Sequence, residues 1–141
     1  MLEGGGKVLV NESSLWPGGQ FATTLLAVRA DFLARYPTTV RHVLEALVKS
    51  EDYLNQNPAG AQAVANQAIA DITSKSLSTA TLAAAWKSLT FTVDPVAASL
   101  VTDADHATRL GLLPGASLKG IYDLRILNQV LAAAGKPPVS G

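Results

Sequence analysis

Trp16, Gly18, Gly19, Gln20, Thr23 and Thr24 are the residues of this chain whose types and spacing could hold a ligand. A small anion needs uncharged donors: hydroxyls, amides and backbone N–H groups. Thr23, Thr24 and Gln20 supply the side-chain donors, and Gly18 and Gly19 let backbone approach a ligand closely. The same residues also read as a plain strand entrance stapled by a tryptophan. Residue types alone leave both readings open.

Other sets fail on spacing. Gly4-Gly5-Gly6-Lys7 has the look of a phosphate loop. That motif needs a glycine where Met1 stands and a Ser or Thr where Val8 stands. Asp103, Asp105 and His106 are potential metal ligands. On a helix, 103 and 106 share a face while 105 points elsewhere, so the stretch reads as a solvated helix face. His42 lies at the polar edge of an apolar stripe and reads as a surface histidine. A Ser–His–Asp hydrolase needs its nucleophile on a strained turn, typically Gly-x-Ser-x-Gly. Ser13-Ser14 sits in a turn without that pattern. Glu51 and Asp52 are adjacent and do not share a helix face. No catalytic or metal site is therefore assigned.

The elements that would position the donor set follow from punctuation and periodicity. Val8–Val10 is a short β-like run closed by the turn-formers from Asn11 to Ser14. Pro17-Gly18-Gly19 is a strong turn signal, because proline fixes φ and glycine permits φ > 0. It predicts an extended crossover over 16–24. A second β run covers 22–29, without clean polar alternation, as in a strand buried on both faces. A short helix is expected at 31–35. A long one follows at 38–56, capped by Thr38 or Thr39 and striped by Val40, Val43, Leu44, Leu47, Val48 and Leu54. Asn57-Pro58 ends it. The next helix should turn Val64, Ala65, Ala68, Ile69 and Ile72 inward. Ser78 caps a helix to about Ser88, and 90–93 is a third short strand. Asp94-Pro95 should open a helix running to about Gly111, and 112–120 is loop. Asp123 caps the last helix, which Gly135 ends. The expected core is Leu44, Leu47, Trp86, Leu89, Leu100, Leu110 and Leu127. The fold class is α/β and helix-rich, with a short, incomplete sheet and five or six helices.

Hydrophobic residues make up 48% and charged residues 16% of the 141, so a core can form and disorder is disfavoured. Basic and acidic residues both number 11, which leaves no long-range attraction for nucleic acid. The absence of cysteine removes disulfides and thiolate metal sites. No apolar run approaches the ~20 residues of a membrane span. Met1–Gly6 has neither the basic region nor the apolar core of a secretory signal.

Two stretches carry a family resemblance. One is Leu15–Arg29, with the pattern Phe21-x-Thr23-Thr24-x-Leu26-x-Val28-Arg29. The other runs from Phe91-Thr92-Val93-Asp94-Pro95 through Asp103-Ala104-Asp105-His106 to Leu110-Gly111. Gly120–Arg125 with Leu127-Asn128 adds to it. From Lys7 to about Pro138, the chain resembles the C-terminal part of substrate-binding proteins that serve ABC importers of aliphatic sulfonates, taurine and nitrate. Those proteins are roughly twice as long, and their fold is a two-lobed, periplasmic-binding-protein-like α/β structure that closes on its solute. The resemblance implies the end of the second lobe at 1–14, an interlobe crossover at 15–24, and the C-terminal part of the first lobe at 25–141. It implies capture of a small sulfonate or oxyanion by Trp16, Gly19, Gln20, Thr23 and Thr24, with Arg29 structural. It implies delivery to an ABC permease and a periplasmic or cell-envelope setting for the parent protein. No cofactor and no reaction are implied. With one wall of the cleft missing, the chain should bind weakly, and its unpaired 22–29 strand should drive self-association. Two alternatives stay open: a helix-rich dimerisation module, or an enzyme like the thiamine-precursor-synthesis relatives of this fold.

Overall fold

The computed structural model describes residues 5–115 and 117–141. The start of the glycine-rich lead-in, through Gly4, and Ala116 of the 112–120 loop lie outside them. The chain is helix-rich. Among the described residues its elements are two 3₁₀ turns, Glu12–Leu15 and Pro17–Gly19, and then α1 (Ala30–Arg35), α2 (Pro37–Gln56), α3 (Pro58–Thr73), α4 (Thr79–Trp86), α5 (Ala97–Arg109) and α6 (Arg125–Ala133).

Local chemistry explains most boundaries. A residue before proline avoids the α region. Tyr36 (φ −131°, ψ 51°) and Asn57 (φ −131°, ψ 62°) obey this and separate α1, α2 and α3. Pro37 therefore opens α2, where its missing N–H costs nothing. Thr38 and Thr39 lie inside the first turn instead of capping it. The Asn57 side chain accepts the Gly60 N–H at 3.1 Å, and Ser78 Oγ accepts the Thr81 N–H at 3.1 Å. Gly111 and Gly135, both at φ 71°, end α5 and α6 in the left-handed conformation. The start of α5 departs from the Asp94-Pro95 expectation. Asp94 Oδ1 accepts the Val96 N–H at 2.8 Å, and the helix begins only at Ala97. Val96 sits at φ 49°, a strained position for a β-branched residue. Asp123 serves α6 from one residue further out than a cap, accepting the Arg125 N–H at 3.2 Å.

The expected sheet does not form among the described residues. Segments 8–10, 22–29 and 90–93 carry no strand pairing. Their residue types favour extended backbone, but a strand exists only when a second one satisfies its N–H and C=O groups. None of the three segments has such a neighbour. The crossover expected over 16–24 is likewise part turn, since Pro17–Gly19 coils once before the backbone extends at Gln20.

The chain divides into two units, one centred on Ala46–Val93 and the other made of Val8–Glu45 and Asp94–Gly141. In the first, α3 packs on α4, and Val48, Ala61 and Leu82 are buried. The Asn66 carboxamide accepts the Leu77 N–H at 2.8 Å and donates to the Leu77 carbonyl at 3.0 Å, holding the approach to α4. Trp86 packs on Phe91 with ring centres 4.8 Å apart. Val64 and Ile72, expected inward, are 63% and 84% exposed, and Ala68 is exposed as well. Of α3, Ala61 is buried, and Ala65 and Ile69 are half-buried as expected. In the second unit, Val40, Leu127, Val130 and Leu131 form the buried core. Asn128 repeats the device of Asn66. It accepts from Val139 N–H at 2.9 Å and donates to the Val139 carbonyl at 3.0 Å, pinning the tail to α6. Of the seven expected core residues, Leu127 alone is buried. Leu44, Trp86 and Leu100 are half-buried, and Leu47, Leu89 and Leu110 are exposed. Periodicity marks an apolar stripe, whereas only the stripe facing a neighbouring element is covered.

Candidate functional site

The donor segment is built on a short, well-anchored turn in the second unit. The Asn11 side chain accepts the Ser13 N–H at 3.3 Å and the Ser13 hydroxyl at 2.9 Å, and Ser14 Oγ donates to the Asn11 carbonyl at 2.6 Å. Both serine hydroxyls are thus engaged in shaping the chain. The backbone then coils through Pro17-Gly18-Gly19, with φ 64° and 71° at the two glycines. A side chain at either would strain this turn. The N–H groups of Gly19 and Gln20 close it on the carbonyls of Trp16 and Pro17, at 3.0 and 3.4 Å.

Trp16 and Phe21 fold back on each other across the turn, with ring centres 5.3 Å apart and planes 20° from parallel. His106 of α5 meets the same indole at 5.6 Å. All three are half-buried. His106 therefore faces an aromatic partner, and the reading of 103–106 as a solvated face is corrected at this residue. A second tie lies one residue on. Ser99, only 4% exposed, accepts the Ala22 N–H on its hydroxyl at 3.1 Å. The segment is held to α5 by one hydrogen bond and one aromatic contact on either side of Phe21.

Beyond Ala22 the chain runs out exposed. Gln20, Thr23 and Thr24 are on the surface, and no hydrogen bond involves Thr23 or Thr24 among the described residues. Of the five residues expected to touch a ligand, the structure gives three different roles. Trp16 packs, Gly19 turns, and Gln20, Thr23 and Thr24 present free polar groups along one exposed stretch. Arg29 forks onto Asp31 through Nε and Nη2, both at 3.0 Å, and Arg35 joins the same carboxylate at 2.9 Å. These hydrogen bonds, Arg29 first, hold the Asp31 carboxyl below the usual carboxylate range.

The second unit also has two open grooves. One, of about 450 Å³, is lined by Leu118, Gly120, Tyr122, Leu124, Arg125 and Asn128, with the tail at Val139 and Gly141. The other, of about 540 Å³, lies between α5 and Gly115, Ser117 and Leu118. Neither is lined by the donor segment. In the first, the Tyr122 hydroxyl is covered although the residue is part-exposed, and it has no hydrogen-bond partner among the described residues. Burial raises its pKa above the ordinary phenol value. Arg125 is claimed by Asp123 through two hydrogen bonds at 2.7 and 2.9 Å, which lower the Asp123 pKa.

No group of three or more metal-ligating side chains occurs among the described residues, nor does any helix long and apolar enough to cross a membrane. Sequence reasoning missed Ser99 and the supporting role of His106. The available signal for Ser99 was a lone hydroxyl within Val96-Ala97-Ala98-Ser99-Leu100, where a buried polar side chain must find a partner. No family model, curated protein or solved structure matches this chain.

Proposed function

We propose that the chain corresponds to the C-terminal part of an ABC-importer solute-binding protein for a small sulfonate or related oxyanion. Its role is to bind and hand over a solute, with no catalytic step, in a periplasmic or cell-envelope setting. The parent would have the two-lobed, periplasmic-binding-protein-like fold. The pattern Phe21-x-Thr23-Thr24-x-Leu26-x-Val28-Arg29 motivates the reading. The observation that carries it is the state of Thr23 and Thr24. Their hydroxyls are exposed and unbonded, immediately after a turn fixed to α5 through Ala22 and Trp16. Ordered backbone ending in free hydroxyl donors is what a small oxyanion requires. The anchor also limits the entropy lost on binding.

One exposed stretch cannot bury a solute, so affinity for this chain alone should be weak. A millimolar dissociation constant corresponds to about 4 kcal/mol. Amide chemical shifts followed during titration with taurine, methanesulfonate and nitrate test the reading. Fast-exchange, saturable shifts confined to 18–24 and lost in the Thr23→Val/Thr24→Val double variant are expected. Shifts elsewhere only, or none that saturate, would refute it. Micromolar affinity would refute the expectation that half the cleft lies outside this chain.

A further inference from the structure

We propose that residues 22–29 are a self-association edge, pairing antiparallel with the same segment of a second copy of this chain. The inference does not rest on the solute-binding reading.

Three observations point to it. The first is the backbone. Ala22 N–H is used by Ser99 and the Arg29 carbonyl by Leu33, but no hydrogen bond involves Thr23–Val28 among the described residues. Six consecutive residues therefore offer their N–H and C=O groups to water. The second is the side chains. Leu25, Leu26 and Val28 are 46%, 54% and 41% exposed, on a segment of strand-forming composition. An exposed, apolar, unpaired edge is a template for another strand.

The third is the choice of occupant. From Gly18 to Val28 the chain has no ionisable side chain. Antiparallel pairing about Leu26 sets Leu26 opposite its own copy, Leu25 opposite Ala27 and Thr24 opposite Val28, each pair on one face. Arg29 falls opposite Thr23, so no like charges meet, and the arrangement is self-complementary as a two-fold interface requires.

Sedimentation velocity of the full chain, from micromolar to near-millimolar concentration without added solute, tests the proposal. A dimer is expected. Leu26→Pro removes one ladder N–H at an exposed position and should weaken dimerisation about tenfold or more while leaving the circular dichroism unchanged. The chain has no cysteine, so Leu26→Cys gives an unambiguous cross-link. It should oxidise to a covalent dimer far faster than Ala133→Cys on the exposed end of α6. A monomer at every concentration, a dimer indifferent to Leu26→Pro, or equal cross-linking at 26 and 133 would each overturn the proposal. The two readings fail separately. A dimer lacking sulfonate-dependent shifts defeats only the solute reading, and a monomer showing them defeats only this one.

Discussion

Ser99→Ala tests how the candidate site is held. Ser99 lies in the first turn of α5 and is buried, and its hydroxyl is the acceptor for the Ala22 N–H at 3.1 Å. Removing the hydroxyl leaves that donor without a partner in a half-buried position. An unsatisfied buried donor costs about 1–3 kcal/mol, and the low end applies if water reaches it. Two effects oppose the loss. Alanine is a better helix former than serine by a few tenths of a kcal/mol, and the missing oxygen leaves little volume to collapse. The net expectation is a destabilisation of about 0.5–2.5 kcal/mol in urea unfolding. The local effect should be larger than the global one. Hydrogen exchange of the Ala22 amide reports the bond directly, because exchange follows local opening. Its protection should fall by about tenfold or more, while amides in the middle of α6 follow only the global change. Ser99→Thr keeps an acceptor and should restore part of the protection. An unchanged Ala22 exchange rate together with an unchanged unfolding midpoint would show that this bond does not hold the segment.

Leu131 is 1% exposed at the centre of the second unit, so Leu131→Ala should cost about 2–5 kcal/mol in a denaturant melt. A cost below 1 kcal/mol would mean α6 is not packed as described. Tyr122→Phe removes a covered hydroxyl with no hydrogen-bond partner among the described residues, so it should be neutral or stabilising by up to about 1 kcal/mol. A clear loss of stability would reveal a partner for that hydroxyl. Tyr122 also sets an alkaline dependence. Its folded pKa is raised by burial, so above the ordinary phenol value the unfolded chain loses this proton first. Stability should fall as pH rises through that range, and Tyr122→Phe should flatten the fall. The acid side has the opposite sign. Asp123 is depressed by the Arg125 hydrogen bonds, so the unfolded state takes up its proton first and stability is lost as pH falls through the folded pKa. Asp123→Asn should remove that component from an acid titration of the unfolding midpoint, and an unaltered acid limb would count against the pair.

Helix positions were legible in the sequence because the signals are local. Pro37 and Pro58 act on the residue before them, Ser78 on a backbone amide three residues ahead, and Gly135 on its own φ. None of these needs the rest of the molecule. Burial was far less legible. Leu127, Val130 and Leu131 are covered while Leu110 and Leu89 are not, although all are apolar helix-region residues. Periodicity identifies a stripe but not which stripe meets a neighbour. The site was legible in part. The Pro17-Gly18-Gly19 turn announced itself through proline and two glycines. The anchor on Ser99 could not, because it joins residues 77 positions apart. Sequence spacing along one element says nothing about a hydrogen bond closed by the tertiary fold.

The strand expectations failed for a reason that bears on both functional readings. Thr23, Thr24, Leu25, Leu26 and Val28 have the composition of a strand, yet β-propensity measures fit to a pleated, half-buried surface. Without a second backbone alongside, that preference cannot be realised, and the segment keeps its polar groups in water. A partner that completes the ladder would lie beside Leu26 and Val28 on one face and Leu25 on the other. It would also fix the backbone on which the Thr23 and Thr24 hydroxyls are mounted. Alternate residues of a strand face opposite sides, so pairing would direct the two hydroxyls to different faces. At most one of them could then meet a given small anion through its side chain. Thr23→Val and Thr24→Val made singly should therefore differ in the presence of a strand partner and resemble each other in its absence. If both variants lose the sulfonate-dependent shifts equally in a dimer shown to pair through this segment, the two hydroxyls cannot be on opposite faces, and the segment is not a regular strand.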